Sequence, residues 1–154
     1  MATLLALVAA VALAGPPPAG ALPGPGPKDR CPVCGMFVAK YPDWVATAEF
    51  QDGARFHFDG VKDLARFLLE PGKHGSTRTL AQLRRAEVTD YYSLARIEAR
   101  VAFYVVGSNA YGPMGKELVP FARREDADEF LRDHKGTAVL RFDQLTVALL
   151  AELG

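Results

Sequence analysis

Two cysteines and a methionine lie within six residues, in the stretch CPVCGM from Cys31 to Met36. Thiolate and thioether sulfurs together are ligands for a soft ion such as Cu(I), whereas zinc gains little from a methionine sulfur. If Cys34, Gly35 and Met36 are extended, the first and third side chains point to the same face of the chain. The pattern therefore indicates a copper(I) site that contains Cys34 and Met36.

A further candidate sulfur belongs to Met114, in the sequence GPMG. A methionine in a protein core usually fills a gap between apolar side chains, but a Gly-Pro-Met-Gly stretch is typical of an exposed turn. We therefore predict that Met114 supplies a third sulfur from a distant part of the chain. His57, on a predicted strand, is a weaker candidate ligand, proposed because imidazole commonly binds metals.

Three other kinds of site are open for Cys31 and Cys34. The turn Cys-Pro-x-Cys-Gly is typical of a zinc knuckle, but structural zinc takes four ligands, and none of the three histidines forms an H-x₃₋₅-H pair. A disulfide would close a very short loop and add little chain-entropy stabilisation, although an oxidising compartment would favour it. A thioredoxin-like redox site is disfavoured because FVAKYPDW, which follows, does not predict a helix.

The net charge and the N-terminal residues limit the classes of protein to which the chain can belong. The formal net charge is zero, so no long-range field favours nucleic acid or an anionic membrane. The stretch MATLLALVAAVALAG is an uncharged apolar run, of signal-peptide length and too short for a stable membrane span. We predict a signal-like segment with a Pro/Gly-rich tether over 1–27, export to the periplasm, and a folded domain over 28–154. No cysteine ends the apolar run, so a lipid anchor is not expected.

Strands and helices alternate in the predicted domain and must position the sulfurs. Strands over 44–50 and 54–58 flank an Asp-Gly turn, and Asp59 is the predicted N-cap of a helix that ends at Pro71. Residues 73–86 are polar, which indicates a loop with a short helix. Other predicted elements are strands within 87–93, 95–108, 118–122 and 137–142, a tight turn over 109–117, a helix over 123–134 that buries Ala127, Phe130 and Leu131, and a last helix capped by Asp143.

A weak internal repeat links the two ends of this domain. FDGVKDLARFL, from Phe58, and FARREDADEFL, from Phe121, share Phe, Asp, Phe and Leu at the same offsets. Each copy follows two predicted strands, so the repeated unit is strand, turn, strand, helix and strand. The expected fold class is α+β, with two similar halves over about 28–86 and 87–154.

The chain resembles the NosL family of periplasmic copper chaperones, which serve the maturation of nitrous-oxide reductase. The matching stretches are CPVCGM, FDGVKDLARFL, VTDYYS, RVAFYVVGSNAYGPMGKELVPFA, EDADEFL and VLRFD. The resemblance implies two similar α+β halves, related in shape to the alkylmercury lyase fold. It also implies Cu(I) bound by Cys34, Met36 and Met114, with Cys31 less closely matched. The implied partner is the assembly transporter of nitrous-oxide reductase, or the reductase itself.

We therefore expect a copper carrier and not an enzyme. The alternative is a zinc- or disulfide-stabilised binding module without copper delivery. An enzyme that cleaves carbon–mercury bonds is less favoured, because it should need separated thiols and a proton-donating carboxylate, whereas both cysteines lie in one turn here.

Overall fold

The computed structural model of the chain describes residues 20–154, and the predicted apolar run over 1–15 lies outside the described residues. The helices are α1 (Val61–Leu69), α2 (Arg124–Asp133) and α3 (Val147–Glu152). The strands are β1 (Ala46–Phe50), β2 (Arg55–Phe58), β3 (Leu83–Thr89), β4 (Arg96–Glu98), β5 (Phe103–Val106), β6 (Tyr111–Gly112), β7 (Gly115–Lys116), β8 (Val119–Phe121) and β9 (Ala138–Arg141). The predicted α+β class is confirmed.

The strands form two main antiparallel sheets with the same internal plan. The first sheet has the order β2-β1-β3-β4, and the second has the order β8-β5-β9. In each sheet the first strand of the repeat is flanked by the second strand and by the strand that follows the helix. The predicted unit of strand, turn, strand, helix and strand is thus present twice. The first sheet extends to Glu98, beyond the expected limit near residue 86.

Alternate side chains of β5 face two different cores. Tyr104 and Val106 belong to a large core shared with the first sheet and α1, whereas Val105 belongs to a smaller core under α2. The large core includes Ala46, Ala48, Phe50, Phe58, Leu64, Phe67 and Leu118. Because one strand contributes to both cores, the two halves are packed together through β5.

Two predicted helix caps are wrong. The N-cap of α1 is Gly60 rather than Asp59, because the Asp59 carboxylate is engaged with the Cys34 thiol. The last helix begins after Thr146, whose hydroxyl accepts a hydrogen bond from the Leu149 backbone at 3.2 Å. Asp143 instead lies in a short 3₁₀ helix over Phe142–Gln144.

The polar stretch over 73–86 is also different from its prediction. It contains 3₁₀ helices over Pro71–His74 and Leu80–Gln82, but β3 already begins at Leu83. Two of the arginines of this polar stretch, Arg84 and Arg85, lie on β3, where Arg84 pairs with Glu49 of the neighbouring strand at 3.1 Å. When charged side chains of a strand pair across the sheet, apolar and polar residues do not alternate clearly along its sequence. The sequence period therefore did not indicate β3.

The other elements agree in kind with the sequence pattern, although the predicted strand over 87–93 ends at Thr89 and the one over 95–108 is divided into β4 and β5. The predicted turn over 109–117 is the β6–β7 hairpin, and α2 buries Ala127 and Phe130, with Leu131 half-buried beside them. The Pro/Gly-rich residues 20–27 form neither helix nor strand. Across residues 20–154, no helix is both long enough and apolar enough to span a bilayer.

Candidate metal centre

The CPVCGM stretch folds into a tight turn that is closed by its own backbone. The Cys31 N–H donates to the Met36 carbonyl at 2.9 Å, and the Gly35 N–H donates to the Cys31 carbonyl at 2.9 Å. Gly35 has φ +79°, in the left-handed region that glycine adopts without steric cost. The expectation of an extended Cys34-Gly35-Met36 segment is therefore wrong, and the two side chains are not aligned by strand alternation.

Each thiol of this turn faces a carboxylate from the start of α1. The Cys34 Sγ donates to Asp59 Oδ1 at 3.2 Å, and the Cys31 Sγ donates to Asp63 Oδ2 at 3.3 Å. One ligand atom from each of these four residues lies within 4.8 Å of the other three. Cys31, Asp59 and Asp63 are all buried, and Cys34 is partly exposed. The result is a compact cluster of two sulfurs and two carboxylates with one side towards solvent.

The β2–α1 connection places the two carboxylates. Asp59 follows the last residue of β2 directly and lies before the helix, whereas Asp63 lies in the first turn of α1. The connection and the first helical turn thus direct both carboxylates towards the cysteines. An isolated β-bridge between Arg30 and Phe37 holds the two ends of the cysteine turn together.

The electrostatics of the cluster favour protonated cysteines as long as no cation is bound. Burial raises the pKa of Cys34 to about 12, and its hydrogen bonds to Asp59 and Asp63 act in the same direction. Burial also raises the pKa of Cys31, and the negative charge of Asp63 adds to the effect. Both residues are free thiols in the structure. A metal ion must therefore displace a proton from each sulfur that it binds.

One carboxylate oxygen of this cluster has no hydrogen bond. Asp63 Oδ1 is buried and lacks a hydrogen-bond partner among the described residues. The Arg66 guanidinium lies 3.5 Å away and offsets part of its charge. Buried polar atoms are normally hydrogen-bonded, and this oxygen is instead compensated only by the charge of Arg66, while Oδ2 faces Cys31.

The structure brings the loop of Met114 to the same helical turn as the carboxylates. Met114 lies at the tip of the β6–β7 hairpin, and its side chain is 40% exposed. Its carbonyl accepts a hydrogen bond from Lys62 Nζ at 2.8 Å. Lys62 lies between Asp59 and Asp63 in the sequence and is itself buried. Met36 is partly buried within the cysteine turn. The predicted ligands Cys34, Met36 and Met114 therefore all lie on segments that contact the start of α1.

Glu117 attaches the hairpin to the first turn of α1. Its carboxylate accepts hydrogen bonds from the Lys62 N–H at 2.6 Å and from the Leu118 N–H at 2.9 Å. A Cβ at Gly60 would overlap this carboxylate, so only glycine leaves room for it. Burial raises the pKa of Glu117 to about 7, against the opposing effect of the two backbone donors. Glu117 thus caps α1 from another part of the chain, as a carboxylate does favourably at a helix N-terminus.

His57 is not part of the cluster. Its ring belongs to the face of the first sheet opposite α1, where Nδ1 lies 3.0 Å from Thr47 Oγ1. Nε2 lies 3.9 Å from Asp29 Oδ2, and burial lowers the pKa of His57. The structure therefore does not bring this predicted ligand together with the cysteines.

Asp59 and Asp63 are site residues that the sequence reasoning missed. Their spacing, Asp-x-x-x-Asp at the start of a predicted helix, is the signal that could have identified them. The sequence predicts Asp59 as a helix cap, which is the commoner role of an aspartate in that position. The four residues together can hold either a soft ion, mainly through sulfur, or a tetrahedral divalent ion through two sulfurs and two oxygens.

Comparisons with known proteins all lead to one family. The family model described as NosL matches residues 25–150. The copper-binding lipoprotein NosL of Stutzerimonas stutzeri is 32% identical over 128 residues, which cover 80% of this chain and 65% of that protein. This chain thus spans less than two thirds of the length of that relative.

Two solved structures are similar as well. The crystal structure of the copper chaperone NosL from Shewanella denitrificans has a TM-score of 0.71 at 27% identity, covering 85% of this chain and 99% of that one. The solution structure of apo-NosL from Achromobacter cycloclastes has a TM-score of 0.50 at 26% identity, covering 68% of this chain and 87% of that one.

Proposed function

The chain belongs to the NosL family, and from this premise we propose that it is a periplasmic Cu(I) chaperone. In this proposal it is exported, binds copper as cargo, and delivers it for the assembly of nitrous-oxide reductase. Cys34 is the principal ligand, Met36 and Met114 are the thioether ligands, and Cys31 is an additional sulfur.

The observation that carries the proposal is the pairing of each thiol with a buried carboxylate. Cu(I) binds thiolate, so the proton of Cys34 must leave when copper arrives. Asp59 already accepts the hydrogen bond from that thiol at 3.2 Å, and the sulfur is partly exposed, so that the proton can leave to solvent. The carboxylates also supply negative charge in a buried place, which favours a bound cation.

The arrangement suits a carrier better than a catalyst. Cys34 is partly exposed and Met114 is 40% exposed, so an acceptor can approach copper from that side. Thioethers neither deprotonate nor form disulfides, and they retain Cu(I) in an oxidising compartment. A site with few ligands on an open side allows ligand exchange with the acceptor, which we propose is the assembly transporter or the reductase itself.

Copper titration of single variants tests the site. Cu(I) is added to the reduced protein in competition with a chromogenic chelator. We expect Cys34→Ala to abolish tight binding and Met114→Ala to weaken it by at least tenfold. Tyr111→Ala changes an exposed side chain of the same hairpin without removing sulfur, and should leave the affinity unchanged. Unchanged affinity in both Cys34→Ala and Met114→Ala would refute the site.

Delivery requires a separate test in cells. In a strain that lacks its own chaperone gene, the unaltered protein should restore the copper content of nitrous-oxide reductase, whereas Cys34→Ala should not. His57→Ala is a suitable control because His57 lies on the other face of the sheet. Normal copper loading with Cys34→Ala would show that delivery does not pass through this cluster.

The same cluster supports a second candidate, a zinc-stabilised binding module. Two cysteines and two aspartates within 4.8 Å of one another can provide the four ligands that structural zinc requires. The sequence alone predicts no such set. Elemental analysis after purification under reducing conditions distinguishes the two functions: one equivalent of zinc that Cu(I) does not displace would favour the module.

A further inference from the structure

A backbone nitrogen near the start of the described chain meets a buried carboxylate. The Leu22 nitrogen lies 3.1 Å from Glu87 Oε1 and 3.0 Å from Glu87 Oε2. Glu87 is 1% exposed and lies on β3, beside Thr47 on the sheet face opposite α1. A peptide N–H can share its one hydrogen between these two oxygens only as a three-centre bond. An ammonium group has three hydrogens and can donate to both.

The sequence before Leu22 carries the pattern of a signal-peptidase site. Ala19, Gly20 and Ala21 place small residues at the third and first positions before Leu22, which is the A-x-A pattern of such sites. An apolar run and three consecutive prolines precede it. The residue that cleavage would leave first is therefore the one whose nitrogen meets Glu87.

We propose that signal peptidase cleaves between Ala21 and Leu22, and that the new α-ammonium of Leu22 forms an ion pair with Glu87. Water adds across the Ala21–Leu22 peptide bond, so that Ala21 leaves with a carboxylate and Leu22 gains the protonated amine. The proposal rests on the export proposed above and is independent of copper binding. It assigns Glu87 as the receptor for the mature N-terminus, which fastens the Pro/Gly-rich segment to the sheet.

The charges around Glu87 determine how strongly an ion pair with the Leu22 ammonium stabilises the fold. Arg85 Nη2 lies 2.6 Å from Oε1, and Arg96 Nη2 lies 3.6 Å from Oε2. Arg85 also donates to the Gly20 carbonyl at 2.7 Å, a contact that cleavage removes, and lies 3.8 Å from Glu98. Because two guanidinium groups already share this carboxylate, the ammonium adds an intermediate stabilisation, of about tenfold in the folding equilibrium constant.

The cleavage is tested on protein isolated from the periplasm of a bacterium that expresses the full chain. Intact mass and N-terminal sequencing should identify a chain that begins Leu-Pro-Gly-Pro-Gly. A chain that begins at Gly15, after the alternative Ala-Leu-Ala stretch, would overturn the proposal. An uncleaved chain would overturn it equally.

The ion pair is tested by chemical ligation at Cys31. Synthetic peptides of residues 22–30, with a free or an acetylated N-terminus, are joined to a fragment that begins at Cys31. Acetylation should lower the folding equilibrium constant of the refolded protein about tenfold, since it leaves only a neutral N–H. In Glu87→Gln the same acetylation should change it less than twofold, and in the control Glu98→Gln the full effect should remain.

If Glu87→Gln does not fold, the free and the acetylated protein that retain Glu87 still decide the outcome. Equal stability of these two proteins would refute the ion pair. Cu(I) titration of the same two proteins should give equal affinities. A loss of copper binding in both would count against the proposed chaperone function and leave the ion-pair result unaffected.

Discussion

At the scale of single residues, the cysteines are defined by their carboxylate neighbours. The thiols of Cys31 and Cys34 donate to Asp63 and Asp59 respectively, and burial raises the pKa of both sulfurs. Such thiols resist ionisation until a cation replaces their protons, which couples metal binding to pH. The cluster thus keeps both sulfurs protonated while no cation is bound, so that the number of protons released reports the number of sulfur ligands.

We predict that Cu(I) affinity rises with pH between 6 and 8, because the pKa of Cys34 is about 12 and its thiol stays protonated over this range. Each thiol that becomes a ligand releases one proton, which gives about a tenfold increase in affinity per pH unit. A hundredfold increase per unit would mean that Cys31 binds as well. Competition titrations at several pH values, corrected for the chelator, measure the slope.

In Cys31→Ser the slope of Cu(I) affinity against pH should be the one expected when a single thiol loses its proton. A pH-independent affinity in the unaltered protein would contradict the protonated cluster, since it would mean that no proton leaves when copper binds.

At the scale of elements, the β6–β7 hairpin is fastened to the start of α1. Glu117 accepts the backbone N–H of Lys62, and the Lys62 side chain donates to the carbonyl of Met114. Lys62 also lies 3.0 Å from the Gly154 carbonyl, so the segment after α3 meets the same point. These contacts position the turn that carries Asp59 and Asp63 against the loop that carries Met114.

Gly60→Ala should disturb this attachment, because the added Cβ would overlap the Glu117 carboxylate. Overpacking of this kind typically costs about 1–3 kcal/mol. We expect a lower free energy of unfolding in urea, together with weaker Cu(I) binding, since Met114 is displaced from the helix. Gly72→Ala is the matched control because nothing lies within 4 Å of its Cβ position. Equal losses in the two variants would argue against a specific role of Gly60.

At the scale of the whole molecule, the two halves share cores and should unfold together. The side chain of Trp44, the one tryptophan of the chain, comes from the first half but packs against the smaller core beneath α2. Its ring lies 5.8 Å from that of Tyr91, which in turn lies 4.9 Å from Phe130. Trp44 fluorescence therefore reports on the junction of the halves.

Phe130→Ala should lower the free energy of unfolding by about 3–5 kcal/mol, the usual cost of removing a buried phenyl ring. Urea transitions followed by Trp44 fluorescence and by far-ultraviolet circular dichroism should remain coincident in this variant. Leu94→Ala, which truncates a side chain that is 53% exposed, should leave the stability nearly unchanged. Separate transitions for the two probes would show that the halves unfold independently.

The sequence by itself determined the family, the α+β class, the repeated unit and the three sulfur residues proposed as ligands. These are local properties: strand and helix periods, the turn residues around Met114, and the Cys-Gly-Met motif can all be read within a few positions. The positions of β3 and of the α1 cap were less accessible, because paired charges and a distant hydrogen bond replaced the local signals there. The cap of α3 is local, since Thr146 accepts from the Leu149 N–H, and there a threonine was the true signal rather than Asp143.

Only the tertiary structure decided which residues surround the sulfurs. Asp59 and Asp63 lie 25 and 32 positions beyond their cysteine partners, and Glu117 lies 55 positions beyond Lys62. The Asp-x-x-x-Asp spacing marks the two aspartates, but no local pattern shows which residues they contact, because those contacts depend on how the cysteine turn packs against the β2–α1 connection. The same packing separates His57 from the cluster, since alternation along β2 turns its ring to the other face of the sheet.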